Sequence, residues 1–323
     1  MSADQEHEGH PHDAIAGVPV RLEAAELREL SRLQPARALL ATALEWLGIA
    51  AAVALVSWRP GVVVYLLAVV FIGARQHALT VLGHDASHHR YLNHKLGNDL
   101  VASVFLMWPM FVSVWGFRSF HGDHHKYLGG VRDGNRLLWR THTGRGELRP
   151  EWVYPKTRGE LVRELARRAA FATGLRWIVR GLIGSLMLRE PGPWRVARLG
   201  CYAAAIAVLS VGGWWLEYVG LWLVPMCTWH VTIQYMRLIA EHSAVHSDDP
   251  AYQATRTTIP TRLEALLILP RNIGYHIEHH WYPSVPFYKL PALHARLMRE
   301  PGFRRNADIS TSILRSMILV TKR

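Results

Sequence analysis

Several separate stretches of the chain carry histidines at the spacing of one helical face. In Asn272-Ile-Gly-Tyr-His276-Ile-Glu-His279-His280 the imidazoles stand at i, i+3 and i+4, so a helix there sends all of them from one side within about one turn. Such a surface binds metal. Bundled imidazoles with few thiolates suit iron, copper or zinc, whereas magnesium and calcium prefer oxygen ligands, and the histidines by themselves do not choose among the first three. The spacing returns in His121-Gly-Asp-His124-His125, and His84-Asp-Ala-Ser-His88-His89 sets His84 and His88 one helical turn apart. Glu241-His242-Ser-Ala-Val-His246 again places two histidines at i, i+4. A single helical histidine is ordinarily a solvated or hydrogen-bonded structural residue. Three dense clusters in one chain point instead to a shared metal site.

In their order, and with the long gap before the last, these clusters resemble the three histidine boxes of the membrane fatty acid desaturase superfamily. The flanks agree, because Gly274-Tyr275-His276-Ile277-Glu278-His279-His280 followed by Tyr282-Pro283 resembles the third box of bacterial acyl-lipid and sphingolipid desaturases. The resemblance covers roughly Gly73 to His294. It implies a non-haem di-iron site that uses dioxygen as co-substrate to desaturate or hydroxylate an unactivated carbon chain. Carried over residue by residue, it makes His84, His88, His121, His124, His125, His276, His279 and His280 the ligands. His242 is the best place for the further ligand that the family takes from the region after the last span, with His246 the weaker choice. Box one offers two spacings, ending at His88 or at His89, and His88 is preferred. Neutral imidazoles need acceptors on their outer nitrogens to fix one tautomer, so Asp85, Asp123, Glu241 and Glu278 are expected to supply them.

Two electrons must reach such a site from outside for each dioxygen consumed. The chain shows neither a His-Pro-Gly-Gly haem motif nor a Gly-x-Gly-x-x-Gly nucleotide loop. A separate donor of ferredoxin or cytochrome b5 type, with its own reductase, is therefore expected. The competing metal chemistries fit less well. A zinc membrane hydrolase needs only three protein ligands and carries His-Glu-x-x-His, absent here, and a metal carrier would line its spans with histidines.

The composition fits a membrane enzyme. Half the residues are hydrophobic, and 37 Lys+Arg against 25 Asp+Glu give a net charge of +12. The basic residues alternate with long apolar spans and form no groove-reading cluster, which suits an anionic membrane surface or an acidic partner and argues against nucleic acid. Cys201 and Cys227 lie inside apolar stretches, so no disulfide framework is expected.

The elements that must position the histidines follow from the apolar pattern. Residues 1–20 read as a disordered polar tail ahead of a single domain, 21–323. Leu22 to Leu33 reads as an amphipathic helix on the membrane surface. Spans are expected over about 38–57, 62–82, 196–214 and 219–239, each near the length that a bilayer core requires. Glu45, inside the first, is either functional or simply hydrogen-bonded. Residues 100–117, interrupted by Pro109, must leave and return on one side if the first two boxes are to meet, so an interfacial or re-entrant segment is expected. Trp214, Trp215, Tyr218 and Trp222 should form an interfacial belt, and the Arg-rich middle should be cytoplasmic by the positive-inside rule. The expected fold is thus all-α: four transmembrane helices in two hairpins, with a cytoplasmic helical cap built from 118–195 and 240–323. That cap carries the histidine site, and both termini lie on its side of the membrane.

Overall fold

The computed structural model describes residues 18–140, 147–187 and 190–322. Most of the expected polar tail lies outside these residues. After a short helix α1 (Ala24–Leu30), helix α2 (Pro35–Trp58) starts with proline in its first turn, where the missing N–H costs nothing. The Arg59-Pro60-Gly61 turn returns the chain along α3 (Val62–Ser87). The outer surface of this hairpin exposes Leu39, Leu40, Leu44, Leu47, Leu66 and Leu67, which is what a lipid-facing surface requires. The inner half of α3 is the opposite case: from Ile72 to Ser87 nearly every side chain is buried. It is the central post of the molecule.

Helix α4 (Lys95–Met110) meets α5 (Val114–Lys126) at 89°. Pro109 closes the first, Phe111 adopts a left-handed conformation (φ 59°), and the Ser113 hydroxyl caps α5 by accepting from the Gly116 N–H. The chain therefore turns sharply where a re-entrant segment was expected to turn. Next come α6 (Gly134–Trp139), α7 (Arg158–Ala169) and α8 (Phe171–Met187). Helix α9 (Gly192–Gly212) is apolar and largely exposed along its length. Helix α10 covers 215–242 and contains two π-helical segments, Val219–Leu223 and Met226–His230. Among the described residues three helices are long and apolar enough to cross a membrane, or four if the bent α4–α5 pair counts as one. Together they make the protein membrane-associated.

Helices α11 (Arg262–Leu267), α12 (His276–Trp281), α13 (Leu290–Leu297), α14 (Pro301–Asn306) and α15 (Ile313–Leu319) complete the cap. Two short strands, β1 (Thr257–Thr258) and β2 (Ile309–Ser310), pair in parallel and tie its two halves together. The fully buried Arg256 locks this cap to the end of α10. Its guanidinium donates to the carbonyls of Ala240, Ser243 and Ala244 and pairs with Asp308 at 2.8 Å.

Two expectations change, and a third that was open between two readings resolves. Helix α1 does not simply rest on a membrane surface: Leu22, Leu27 and Leu30 pack against the cap core around Ile277, Tyr282 and Leu293. Amphipathic spacing shows that a face must be covered and leaves open by what. Trp222 leaves the aromatic belt, since its ring stacks on Trp46 at 5.4 Å and its indole N–H donates to the Pro109 carbonyl. Glu45 resolves as a structural group. Its carboxylate receives the Arg75 guanidinium at 2.8 Å and the Arg271 Nε at 2.6 Å, so α2 is pinned both to α3 and to the turn before α12.

Candidate metal centre

Each histidine sits at the end of an element that the surrounding structure holds from more than one side. His84 and His88 close α3, His121, His124 and His125 lie on the last turns of α5, and His242 ends α10. His276, His279 and His280 occupy the short α12. A six-residue helix has little intrinsic stability, and its approach is fixed instead by the turn before it. Arg271 and Asn272 both adopt left-handed backbone (φ 56° and 59°), and the Asn272 amide donates to the Phe287 carbonyl at 3.0 Å. Gly274 then passes so close to β1 that an added Cβ would stand 2.1 Å from the Thr258 carbonyl oxygen. Only glycine fits there.

The nine histidines gather in two groups. His84, His88, His121, His125 and His279 form one, His124, His242, His276 and His280 the other, and within each group one nitrogen per ring lies within 4.8 Å of all the rest. In the first, His125 Nε2 is 2.9 Å from His121 Nε2 and 3.0 Å from His279 Nε2. In the second, His276 Nε2 is 2.9 Å from His242 Nε2 and 3.1 Å from His280 Nε2. One ring nitrogen offers a single lone pair or a single hydrogen, so it satisfies two such neighbours poorly. A cation between them takes every lone pair at once, and nitrogens bound at about 2.1 Å to one ion fall near these separations. Nε2 of His88 and both nitrogens of His84 are buried without a hydrogen-bond partner, which is what one nitrogen of each ring should show if it is reserved for a metal. The donor set fits metal ions.

Electrostatics keep the third box ready for that role. Burial first, and then neighbouring imidazoles, hold His276, His279 and His280 well below the ordinary histidine pKa. Near neutral pH these rings are uncharged and their lone pairs are free to coordinate.

The acceptors for the outer nitrogens differ in part from the expected set. Asp123 is exposed and is corrected: on a helix with His121, His124 and His125 inward, residue 123 falls on the opposite side. Asp133 takes that place, its Oδ1 lying 2.7 Å from His124 Nδ1 and also receiving the Asn135 N–H, while Oδ2 receives the Gly129 N–H. Burial pushes this carboxyl up, and the His124 contact and the backbone donor outweigh it, so its pKa falls below the usual value. The Ala254 carbonyl faces His242 Nδ1 at 3.2 Å, which a search for acidic side chains does not find. Glu241 is corrected too: its Oε2 lies 3.4 Å from His276 Nε2, the nitrogen that faces His242 and His280, so it approaches the inner side of the ring and not the outer nitrogen, and its Oε1 is held by Arg237. Asp85 is 3.7 Å from His84 Nδ1, beyond hydrogen bonding, and accepts the Phe287 N–H instead. Glu278 is buried but turned from the two groups; it accepts from Thr257 and meets His294 Nδ1.

Loss of such an acceptor typically costs about 10–100-fold in metal affinity or activity. Asp133→Asn is expected to fall in that range for metal retention, measured as bound metal against a competing chelator, with membrane insertion unchanged.

The two spacings of box one also separate. His88 belongs to the first group, whereas His89 follows the end of α3 in a left-handed conformation (φ 56°), outside both groups, with Nδ1 3.8 Å from Asp99. His246 is exposed, and its backbone N–H is bound to Asp308. His88→Ala should therefore lose metal and His89→Ala should keep most of it. The reverse pattern in a metal assay would place the ligand at His89.

A helical, membrane-associated protein with two buried groups of imidazoles able to hold metal ions is the class that these observations define. The signature of the fatty acid desaturase family matches residues 60–311. A dihydrorhizobitoxine desaturase from Bradyrhizobium elkanii is 28% identical over 260 residues, 78% of this chain and 72% of the relative. The sphingolipid delta(4)-desaturase/C4-monooxygenase of Homo sapiens is 26% identical over 68% of this chain and 62% of its own length. The sn-1 oleoyl-lipid 12-desaturase of Anabaena variabilis is 23% identical over 73% of this chain and 69% of the relative. The chain belongs to the fatty acid desaturase family, and it is an oxidoreductase.

Proposed function

We propose that each histidine group holds one iron ion and that the protein is an oxygen-dependent desaturase introducing a C=C bond into a fatty acyl or related lipid chain. The observation that carries this reading is the convergence of nine buried or half-buried imidazoles into two groups, each drawn together by contacts such as His125 Nε2–His279 Nε2 at 3.0 Å and His276 Nε2–His242 Nε2 at 2.9 Å, with the His125 and His280 rings stacked 4.3 Å apart between them. When bound, the irons supply the dioxygen-dependent oxidation that removes hydrogen from an unactivated methylene. The chain's own residues hold and insulate them. Asp133 and the Ala254 carbonyl orient His124 and His242, burial keeps water from the rings, and the Glu45–Arg271 pair fixes the approach to α12. Phe117, stacked on His121 at 5.2 Å and close to His84, gives the first group an apolar side suited to a hydrocarbon.

Hydroxylation of a lipid, a carotenoid or a smaller amphiphile is the second reading. It is favoured by the relative whose name joins a desaturase with a C4-monooxygenase, and the first hydrogen removal is common to both outcomes. Lipids and metabolites from cells with and without the protein decide between them. A new double bond supports desaturation, a new hydroxyl supports the alternative, and no dioxygen-dependent change in any extract removes both.

The topology that suits this chemistry has four spans in two hairpins, with both termini and the site on the cytoplasmic side. Electrons come from a separate donor of ferredoxin or cytochrome b5 type. In a Cys201→Ala, Cys227→Ala background, single cysteines at Gly61 and Glu217 are expected to label from outside, and one at Gly159 only after permeabilisation. Gly61 and Gly159 both have open space at the Cβ position, so the probes themselves fit. External labelling at Gly159 would refute the arrangement.

A further inference from the structure

The two histidine groups differ in what approaches them from outside. Among the described residues, the non-histidine ring against the first is Phe117, which belongs to the apolar core. Against the second it is Trp139, whose ring centre lies 6.5 Å from that of His242. Trp139 is buried and stacks almost parallel on Trp152, at 4.5 Å and 11°. Trp152 is half-buried and lies under the Arg168 guanidinium at 5.3 Å. A short antiparallel bridge, Arg140 to Leu148, and the Arg149 N–H donating to the Trp139 carbonyl bring the two tryptophan-bearing segments together.

Resting on the proposed iron-dependent function, we infer that Trp152 and Trp139 form the inlet through which an acidic one-electron carrier protein supplies electrons to the metal held by His124, His242, His276 and His280. Electron transfer weakens steeply with the gap between π systems, and stacked indoles followed by an imidazole ligand replace one long gap with several short ones. The charge around the outer ring suits the partner. Arg163 and Arg167 are exposed on α7 beside Arg168, and complementary charge raises the encounter rate of an acidic protein. Each encounter oxidises the carrier by one electron and reduces the metal pair by one, so two encounters serve one turnover. No bond in the protein forms or breaks, and the indoles move no proton.

The test uses the iron-loaded full chain and reduced plant-type [2Fe–2S] ferredoxin without oxygen, following ferredoxin oxidation by its absorbance in stopped flow. Ferredoxin affinity, iron content and reduction by dithionite with methyl viologen are measured beside it. Trp152→Leu and Trp139→Leu should slow ferredoxin oxidation several-fold at saturating ferredoxin, with affinity, iron content and mediator-driven reduction unchanged, and Trp139→Phe should recover part of the rate. Arg163→Gln with Arg167→Gln should weaken ferredoxin binding and its salt dependence, leaving the saturated rate alone. If Trp139→Leu loses iron, Trp152→Leu decides, because its ring is farther from the ligands. An unchanged saturated rate in Trp152→Leu overturns the inference, as does a loss confined to ferredoxin affinity. A wild-type chain that holds no iron refutes the parent reading instead, independently of either tryptophan.

Discussion

His279→Ala is expected to abolish turnover and strip metal from the first histidine group while leaving the protein in the membrane. His279 is the one residue of α12 that crosses to the group built from α3 and α5, with its ring 4.4 Å from His84 and its Nε2 3.0 Å from His125 Nε2. Removing an outer acceptor alone costs about 10–100-fold, so removal of a ligand should exceed about 100-fold in activity. Insertion should persist, because the spans are specified by apolar length and not by imidazoles. Metal content and product formation by the purified variant read both effects. Activity within a few fold of the parent would remove His279 from the ligand set and, with it, the contact that joins the third box to the group built from α3 and α5.

The second large effect is expected at a distance from any ligand. Glu45→Gln leaves the Arg75 and Arg271 guanidiniums without the buried carboxylate that joins them. Breaking a buried pair by removing one partner costs about 3–5 kcal/mol, and the partial exposure of Arg271 favours the lower end of that range. Arg271 opens the left-handed turn that leads into α12, so the loss should spread to the third box. Thermal unfolding in detergent should shift strongly downward and iron content should fall with it. If iron stays bound and the transition is unmoved, the Glu45 cluster is not what holds that turn.

How much of this was legible in the sequence depended on whether local periodicity carried the information. Imidazoles at i, i+3 and i+4 must share a helix side, and the structure brings all nine into two groups. The same periodicity, applied to Asp123, would have placed it opposite His121 and His125, where it lies. Asp133 could not be found in this way: it meets His124 through a loop that closes between α5 and α6, with no fixed spacing to read. The Ala254 carbonyl is still less visible, since any residue type carries one. Apolar length located α2, α3 and α9, and Pro109 marked the sharp bend between α4 and α5. It could not show that α10 contains two π-helical segments, nor that Trp222 turns inward onto Trp46, because each depends on a neighbour distant in the chain. The partners of Glu45 were hidden for the same reason, Arg271 being more than two hundred residues away.

The most direct test of the central claim is elemental analysis of the purified chain, quantified against protein by amino-acid analysis. The two histidine groups predict about two metal ions per chain, and the proposed oxygen-dependent oxidation predicts that both are iron with no other metal in comparable amount. In the His88→Ala and His242→Ala variants, which each damage one group, the content should fall towards one iron. A single zinc ion per chain, or a full complement of iron in both variants, would contradict the account.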